Sequence, residues 1–208
     1  MEDLTLPGLL GLIEEAAQGT PRCLVAIAGP PASGKSTLAE TLSDRLGARA
    51  EVLPMDGFHL ENDALEKMGL LARKGAPETF DAEGFLSLLQ KVRASGAVAF
   101  PRFDRDADRT VPGAGAIGED TDIVLVEGNY LLLTTGAWAG LEALFDLTIA
   151  LEVDRAELQQ RLIRRWLDQG LSEQDARARA LGNDMVNVDF VTANARKAMV
   201  TYRSEFGT

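Results

Sequence analysis

Apolar residues recur at a helical spacing in some parts of the chain and form continuous runs in others, and the two patterns alternate. Between residues 6 and 17 they recur every three or four positions, and Gly19 follows, which predicts an amphipathic helix that ends there. Nearly continuous apolar runs at 24–28, 122–127 and 147–153 are typical of strands buried on both faces. The alternation predicts an α/β fold, in which helices cover both faces of a mainly parallel sheet.

The remaining elements are predicted from the same periodicities. Further helices are expected at about 35–46, 61–73, 80–94 and 155–169 and from Ser172 onward, and further strands at 51–55, 98–100 and 198–202. Asp154 and Ser172 are the expected N-caps of the helices that follow them. A polar loop rich in glycine and aspartate is expected from 101 to 118. Because ligands of such sheets bind at the carboxyl ends of the strands, residues that follow a strand are the candidates for function.

Length and composition are those of an ordinary globular protein. With 208 residues, 46% hydrophobic and 25% charged, the chain is expected to form one domain over residues 1–208. No apolar run reaches the length of a bilayer span, and the acidic start lacks the basic region of a signal peptide, so a cytoplasmic protein without a membrane partner is expected. The single cysteine, Cys23, is expected to be a buried thiol. A formal net charge of −11 disfavours nucleic acid as a partner, but not ATP, which needs only local positive charge.

Residues 29 to 36 read Gly-Pro-Pro-Ala-Ser-Gly-Lys-Ser and lie between an apolar strand and a predicted helix. This is the G-x-x-x-x-G-K-[ST] spacing of a phosphate-binding loop, whose glycines let backbone N–H groups turn toward a phosphate. Lys35 would reach the outer phosphates of a nucleoside triphosphate, and the hydroxyl of Ser36 would hold Mg²⁺. The residues predicted to bind the nucleotide are Gly29, Ala32, Ser33, Gly34, Lys35, Ser36 and Thr37. A plain Gly/Pro turn is the alternative, but it leaves Lys35 and Ser36 unexplained.

Two acidic residues follow predicted strands and therefore belong to the same sheet edge as this loop. Glu127 closes an apolar run, where a carboxylate would hold Mg²⁺ directly or through water, unless it caps a neighbouring helix. Asp56 follows the second strand and could accept the proton of a substrate hydroxyl, although an Asp-Gly pair is also common in turns. The residues alone do not decide between these two roles of Asp56. His59, the only histidine, is expected at the surface or loosely packed, with a substrate contact as the alternative.

Four segments carry a resemblance to a known family. They are 53–59 (LPMDGFH), 73–81 (RKGAPETFD), 100–105 (FPRFDR) and 126–133 (VEGNYLLL). With these segments the chain resembles the P-loop kinases of the uridine kinase, phosphoribulokinase and bacterial pantothenate kinase superfamily. It looks closest to the branch described as nucleoside/nucleotide kinase-like or fructose-transport-system kinase. The resemblance extends from Leu24 to about Tyr202.

The resemblance implies a three-layer P-loop fold and a kinase that uses ATP and Mg²⁺. Its substrate would be a small molecule with an alcohol group: a nucleoside, a sugar or a pantothenate-like metabolite. Asp56 matches the catalytic base of the relatives, and Glu127 matches the acid that supports Mg²⁺. Arg102, Asp104 and Arg105 lie in a segment similar to the acceptor-side loop and would be near the substrate.

A helical lid over about residues 160–185 is also implied, because 161–170 is similar to the lid motif of these kinases. Arg161 and Arg164 match the arginines that close over the phosphates, whereas Arg165 stands where relatives often carry Asp. Arginines three and four positions apart share one helix face, which suits the binding of a phosphoryl group in transfer. A solvated face that pairs with the abundant carboxylates is the alternative.

Two other functions stay open at this point. One is a nucleoside monophosphate kinase, whose acceptor is itself a phosphate and needs no base. The other is an ATP-binding regulatory protein that transfers no phosphate. The sequence decides neither the acceptor nor the oligomeric state, and a homodimer is compatible with it.

Overall fold

A computed structural model of the protein describes residues 4–94 and 96–203. Its helices are α1 (Leu6–Ala17), α2 (Lys35–Leu46), α3 (Asn62–Met68), α4 (Ala82–Arg93), α5 (Arg155–Asp168), α6 (Glu173–Arg179) and α7 (Met185–Asn194). Its strands are β1 (Cys23–Ala28), β2 (Ala50–Pro54), β3 (Val98–Asp104), β4 (Arg109–Ile117), β5 (Ile123–Gly128), β6 (Leu147–Glu152) and β7 (Val200–Arg203). In the part of the chain that is described, no helix is long and apolar enough to cross a membrane.

Five strands form one parallel sheet in the order β2-β5-β1-β6-β7. Every residue of β1 and of β5 is buried, because both faces of these strands are covered. Leu24 and Ala26 belong to a buried cluster that includes residues of α4. Val25 and Ile27 belong to a second cluster, which includes residues of α1 and α2. The predicted three-layer arrangement is therefore confirmed.

The predicted polar loop at 101–118 is wrong. Strands β3 and β4 form an antiparallel two-stranded sheet of their own, with an irregularity between Phe100 and Arg102 where Pro101 cannot donate a ladder hydrogen bond. At least one of the glycines that suggested a loop, Gly115, is required by the packing of the two strands. A Cβ added to Gly115 would lie 2.3 Å from the ring of Phe100, so only glycine allows the two strands to pair here.

Helix boundaries follow local chemistry in most places. The helix predicted for 61–73 is shorter, because Gly69 adopts a left-handed conformation (φ 71°) that ends α3. Ser172 caps α6 by accepting the backbone N–H of Asp175, as predicted. Asp154 occupies the N-cap position of α5, but its side chain makes no capping hydrogen bond.

A π turn at Ala180–Asp184 joins α6 to α7. In it the backbone N–H of Met185 bonds to the carbonyl of Ala180, five residues earlier. Single π turns are frequent at functional sites. This turn places Asn183 and Asn187 on the buried side of the segment.

Candidate active site

Three neighbouring strands bring the predicted site residues together. In the sheet β5 lies between β2 and β1, and Glu127 is paired in register with both Pro54 and Ile27. Asp56 follows β2, and the phosphate-binding loop at 29–36 follows β1. The two acids and the loop therefore meet at one edge of the sheet.

The loop at 29–36 wraps around the start of α2. Gly34 occupies the N-cap of this helix with φ 93°, and no side chain of the described residues caps it, so the positive end of the helix faces the loop interior. The ammonium group of Lys35 donates to the carbonyl oxygen of Pro30 at 3.0 Å. Burial lowers the pKa of Lys35, while the nearby carboxylates of Glu127 and Asp56 raise it. The buried hydroxyl of Ser33 has no hydrogen-bond partner within the described chain.

Ser36 and Glu127 form a pair of oxygen donors beside the loop. The Ser36 hydroxyl donates to Glu127 Oε1 at 3.2 Å. Burial raises the pKa of Glu127 to about 7, the Asp56 carboxylate adds to this, and Lys35, Ser36 and Arg105 oppose it. A cation beside this buried carboxylate would stabilise its ionised form. A hydroxyl and a carboxylate are oxygen donors that suit Mg²⁺. The residues present therefore fit the predicted metal.

Two cavities meet at Asp56. The first, of about 270 Å³, is called here the phosphate-loop cavity. It is lined by Pro31, Ala32, Gly34, Lys35, Ser36, Thr37, Asp56, Arg105, Glu127, Gly128, Asn129 and Arg165. The second, of about 140 Å³, is called here the aromatic cavity, and Pro31, Asp56, Asn129 and Arg165 line it too. A reaction that joins the contents of the two cavities would therefore take place beside Asp56.

His59 lies in the wall of the aromatic cavity, and the expectation of a surface position is wrong. Its imidazole stacks on Phe80 (ring centroids 4.0 Å apart) and contacts Phe103 (4.7 Å). Burial lowers the pKa of His59 to about 4, so the ring is neutral near pH 7. His59 Nδ1 and Asn187 Oδ1 are both buried and lack a hydrogen-bond partner among the described residues. Both atoms belong to residues that line this cavity, so a ligand there could satisfy them.

The predicted lid arginines point in different directions. Arg161 donates to the carbonyl of Ala32 in the phosphate loop at 3.3 Å and pairs with Glu157. The side chain of Arg164 is 78% exposed and pairs with Asp168. Arg165, to which the sequence assigned no role, lines both the phosphate-loop and the aromatic cavity. Burial lowers its pKa.

The three residues predicted on the acceptor-side loop contact different partners. Arg105 donates to Asp56 Oδ2 at 3.0 Å and lines the phosphate-loop cavity. Arg102 pairs with Glu51 at 3.3 Å and lines a groove of about 650 Å³, which Asp56 and Arg105 line too. The carboxylate of Asp104 accepts the backbone N–H groups of residues 106 and 107, which shapes the turn between β3 and β4. Substrate roles for Arg102 and Asp104 stay predictions.

Several residues of the aromatic cavity were not assigned to a substrate site from the sequence. Lys74 is bound by Asn62 and by Asp108, whose carboxylate lies 2.7 Å from the ammonium group. Asn183 holds the π turn after α6 against this region by donating to the carbonyl of Lys74. Trp166 donates to Asp184. For Lys74 and Trp166 the only signal was the family resemblance of the segments 73–81 and 161–170, because the contacts of these residues join distant parts of the chain.

The parallel sheet, the phosphate loop after its central strand and the two acids beside it define a P-loop kinase. Residues 24–200 match the model of the phosphoribulokinase / uridine kinase family, and the chain belongs to that family. The resemblance inferred from the sequence is thereby confirmed.

Individual relatives agree with this assignment. A crystal structure described as a "putative fructose transport system kinase" from Silicibacter sp. TM1040 is 45% identical, with a TM-score of 0.91 over 95% of this chain and 98% of that one. A "putative uridine kinase" of Schizosaccharomyces pombe is 35% identical over 186 residues, which are 83% of this chain and 79% of the relative. A pantothenate kinase of Leifsonia xyli subsp. xyli is 32% identical over 191 residues, or 80% and 59% of the two chains. The chain is a phosphotransferase with an alcohol group as acceptor.

Proposed function

We propose that this kinase transfers the γ-phosphoryl group of Mg·ATP to an alcohol group of a nucleoside, a sugar or a pantothenate-like metabolite. The observation that carries the proposal is the position of Asp56 on the wall shared by the two cavities. A carboxylate at that point lies between a polyphosphate on one side and a small polar molecule on the other. An acceptor that is itself a phosphate would need no such base, and this favours an alcohol over a nucleoside monophosphate.

In this mechanism the loop amides and Lys35 hold the β- and γ-phosphates. Ser36 and Glu127 would hold Mg²⁺, whose charge would offset that of the phosphates. The acceptor oxygen forms a bond to the γ-phosphorus as the bond from that phosphorus to the bridging oxygen breaks. The hydroxyl proton passes to Asp56, and the bond electrons stay on the β-phosphate of ADP. Arg161 and Arg165 stabilise the charge in transfer.

The base of the nucleotide is assigned to a third cavity of about 480 Å³. It begins at Gly29 and Pro30 and runs between the end of β6, the start of α5 and the chain that follows α7. Its lining is mainly apolar, and this suits a flat heterocycle. The aromatic cavity then receives the acceptor, whose hydroxyl groups would pair with His59 Nδ1 and Asn187 Oδ1.

A library of nucleosides, sugars, pantothenate and nucleoside monophosphates, each incubated with Mg·ATP, tests the proposal through ADP release and mass spectrometry. At least one alcohol should be phosphorylated. Asp56→Asn should lower that turnover at least about a hundredfold and leave ATP affinity nearly unchanged, because the base acts only on the acceptor proton. Transfer to monophosphates alone would contradict the proposal. ATP binding without transfer to any compound would support a regulatory protein instead.

A further inference from the structure

Lys74 lines the aromatic cavity, but its ammonium group has no donor left for a ligand. An ammonium group carries three N–H donors. They are matched by the side-chain oxygen of Asn62 at 2.7 Å, the carboxylate of Asp108 at 2.7 Å and the backbone carbonyl of Asp108 at 3.2 Å. The side chain of Lys74 is only 9% exposed, and the carboxylate of Asp108 covers it from the solvent side. The positive charge of Lys74 is therefore neutralised within the wall of the cavity.

The backbone at Asp108 is held in the conformation that keeps its carboxylate on Lys74. Asp108 has φ 48°, in the left-handed region that residues other than glycine rarely adopt. Its second carboxylate oxygen accepts the side-chain amide of Asn62 at 2.8 Å. Such a conformation persists where the surrounding contacts fix it. At Asp108 these contacts are the same ones that neutralise Lys74.

The charged residues that line the aromatic cavity balance one another. They are three cations and three carboxylates: Lys74, Arg165, Arg179, Asp56, Asp108 and Asp184. Burial raises the pKa of Asp184, and the indole N–H of Trp166 and the two arginines oppose this by stabilising the carboxylate. Arg165 also lines the phosphate-loop cavity, where its charge serves the phosphoryl group in transfer. The described lining thus offers an acceptor no excess of positive charge.

Two buried polar atoms of this cavity lack a partner within the described chain, and both belong to uncharged groups. They are Nδ1 of His59 and Oδ1 of Asn187. The imidazole is neutral near pH 7, because burial lowers the pKa of His59 to about 4. An amide oxygen only accepts hydrogen bonds, so it requires a donor, which a hydroxyl group supplies and a carboxylate does not. The rings of Phe80 and Phe103 add apolar wall, which suits the C–H surface of a ring-shaped molecule.

We propose that the aromatic cavity selects an uncharged acceptor with several hydroxyl groups, such as a nucleoside or a free sugar, and rejects a carboxylate or a phosphate ester. The inference rests on the proposed function and narrows it, since a pantothenate-like acceptor carries a carboxylate. An anion in this cavity gives up its hydration, and the cations of the described lining are already compensated or serve the phosphoryl group. The kinase then adds the first phosphate to a neutral metabolite, and its product, an anion, no longer suits the cavity.

Matched pairs of probes that differ in charge test the proposal by binding alone. The pairs are uridine and uridine 5′-monophosphate, ribose and ribose 5-phosphate, and pantothenol and pantothenate. Each probe is titrated into the protein saturated with Mg·ADP, and binding is followed by tryptophan fluorescence, because Trp166 lines the cavity. The neutral member of a pair should bind at least about tenfold more tightly than the charged member.

A change of charge at Asp108 should alter this preference. Asp108→Asn leaves the positive charge of Lys74 uncompensated and should strengthen binding of the charged probes about tenfold, with little change for the neutral ones. Asparagine tolerates the left-handed backbone conformation, so the turn should be retained. Asp106→Asn removes an exposed carboxylate of the same turn and should match the wild type. Thermal unfolding shows that both variants are folded.

Two results would overturn the inference. One is a charged probe that binds the wild type as tightly as its neutral counterpart, or more tightly. The other is an Asp108→Asn protein that binds the charged probes no better than Asp106→Asn does. Neither measurement requires phosphoryl transfer, so a failure to phosphorylate any alcohol would count against the proposed function, while the charge preference of the cavity is decided by these titrations.

Discussion

The phosphate-loop cavity and the aromatic cavity share a wall, yet they are built in different ways. Half of the residues that line the first belong to one short segment, 31–37, and three more, 127–129, belong to the end of the adjacent strand β5 and the residue after it. The second draws His59, Lys74, Phe103 and Asn187 from four separate segments. A triphosphate presents the same chemistry in every kinase, and a short loop with a helix N-terminus can bind it. Recognition of a particular acceptor requires side chains that only the tertiary fold brings together.

The electrostatics of the two regions differ as well. The phosphate-loop cavity combines a buried cation, Lys35, with a buried acid, Glu127, so its charges depend on each other and on the ligand. In the aromatic cavity Lys74 is already paired with Asp108, and His59 is neutral. Substitutions on the two sides should therefore affect different kinetic parameters.

The largest effect is expected on the phosphate side. Lys35→Met should lower kcat/KM about a thousandfold or more, because it removes the only cation of the loop 29–36, which we propose holds the outer phosphates, and leaves the nearby acids uncompensated. Calorimetry should show weaker binding of ATP as well. Lys67→Met, an exposed lysine on α3, serves as the matched control. Normal ATP affinity in Lys35→Met would contradict the assignment of polyphosphate binding to the phosphate-loop cavity.

The second-largest effect is expected at the wall that the two cavities share. Arg165→Gln should lower kcat about a hundredfold with little change in either KM, because a donor to the phosphoryl group in transfer acts mainly in the transition state. Arg164→Gln is the matched variant, since its side chain is exposed and paired with Asp168. A larger loss for Arg164→Gln than for Arg165→Gln would show that the lid arginines rearrange in the working enzyme, with Arg164 turned inward.

A smaller and more selective effect is expected on the acceptor side. Asn187→Ala should raise the KM for the acceptor about tenfold, the value of one or two lost hydrogen bonds, and leave the KM for ATP unchanged. Asn194→Ala, about two turns later on the same helix α7, controls for the loss of an amide. Equal changes in both KM values would mean that Asn187 serves the packing of the lid rather than the acceptor.

The smallest effect is expected on the stability of the folded protein. Its pH dependence should have opposite signs for one residue of each cavity, Glu127 and His59. The folded-state pKa of Glu127, about 7, lies above its unfolded value, so its contribution is fully present below about pH 4.5 and is lost as the pH rises through 7. The folded-state pKa of His59, about 4, lies below its unfolded value, so its contribution is present above about pH 6.5 and is lost as the pH falls toward 4.

Thermal unfolding of ligand-free variants checks these signs. Glu127→Gln should raise Tm by several degrees more at pH 8 than at pH 5, since the amide carries no buried charge. His59→Phe should flatten the loss of stability between pH 6.5 and 5, which for the wild type is worth about 2 kcal/mol through this group. A Tm gain of Glu127→Gln that is larger at pH 5 than at pH 8, or a steeper loss of stability in His59→Phe, would contradict the burial of that side chain.

The sequence was sufficient to predict the parts of the site that depend on local patterns. The strand, loop and helix around Lys35 and the acid at the end of β5 were predicted correctly as elements, because apolar runs and a fixed motif determine them. The hairpin β3–β4 was missed, since Gly115 reads as a loop residue until the ring of Phe100 is placed against it. The placement of His59 between two rings and of Arg165 at the shared wall depends on contacts between distant segments, which no local pattern encodes.

The π turn at Ala180–Asp184 has a consequence for the tolerance of the protein to deletions. A π turn closes its hydrogen bond over five residues where an α-helix closes it over four, so it accommodates one additional residue without rotating the helix that follows. Removal of the exposed Gly182 would let the backbone N–H of Met185 bond four residues back, and the amide of Asn187 would stay in the aromatic cavity. One glycine can therefore be deleted here with little effect on the cavity, whereas a deletion within the regular turns of α7 would rotate the residues after it by about 100°.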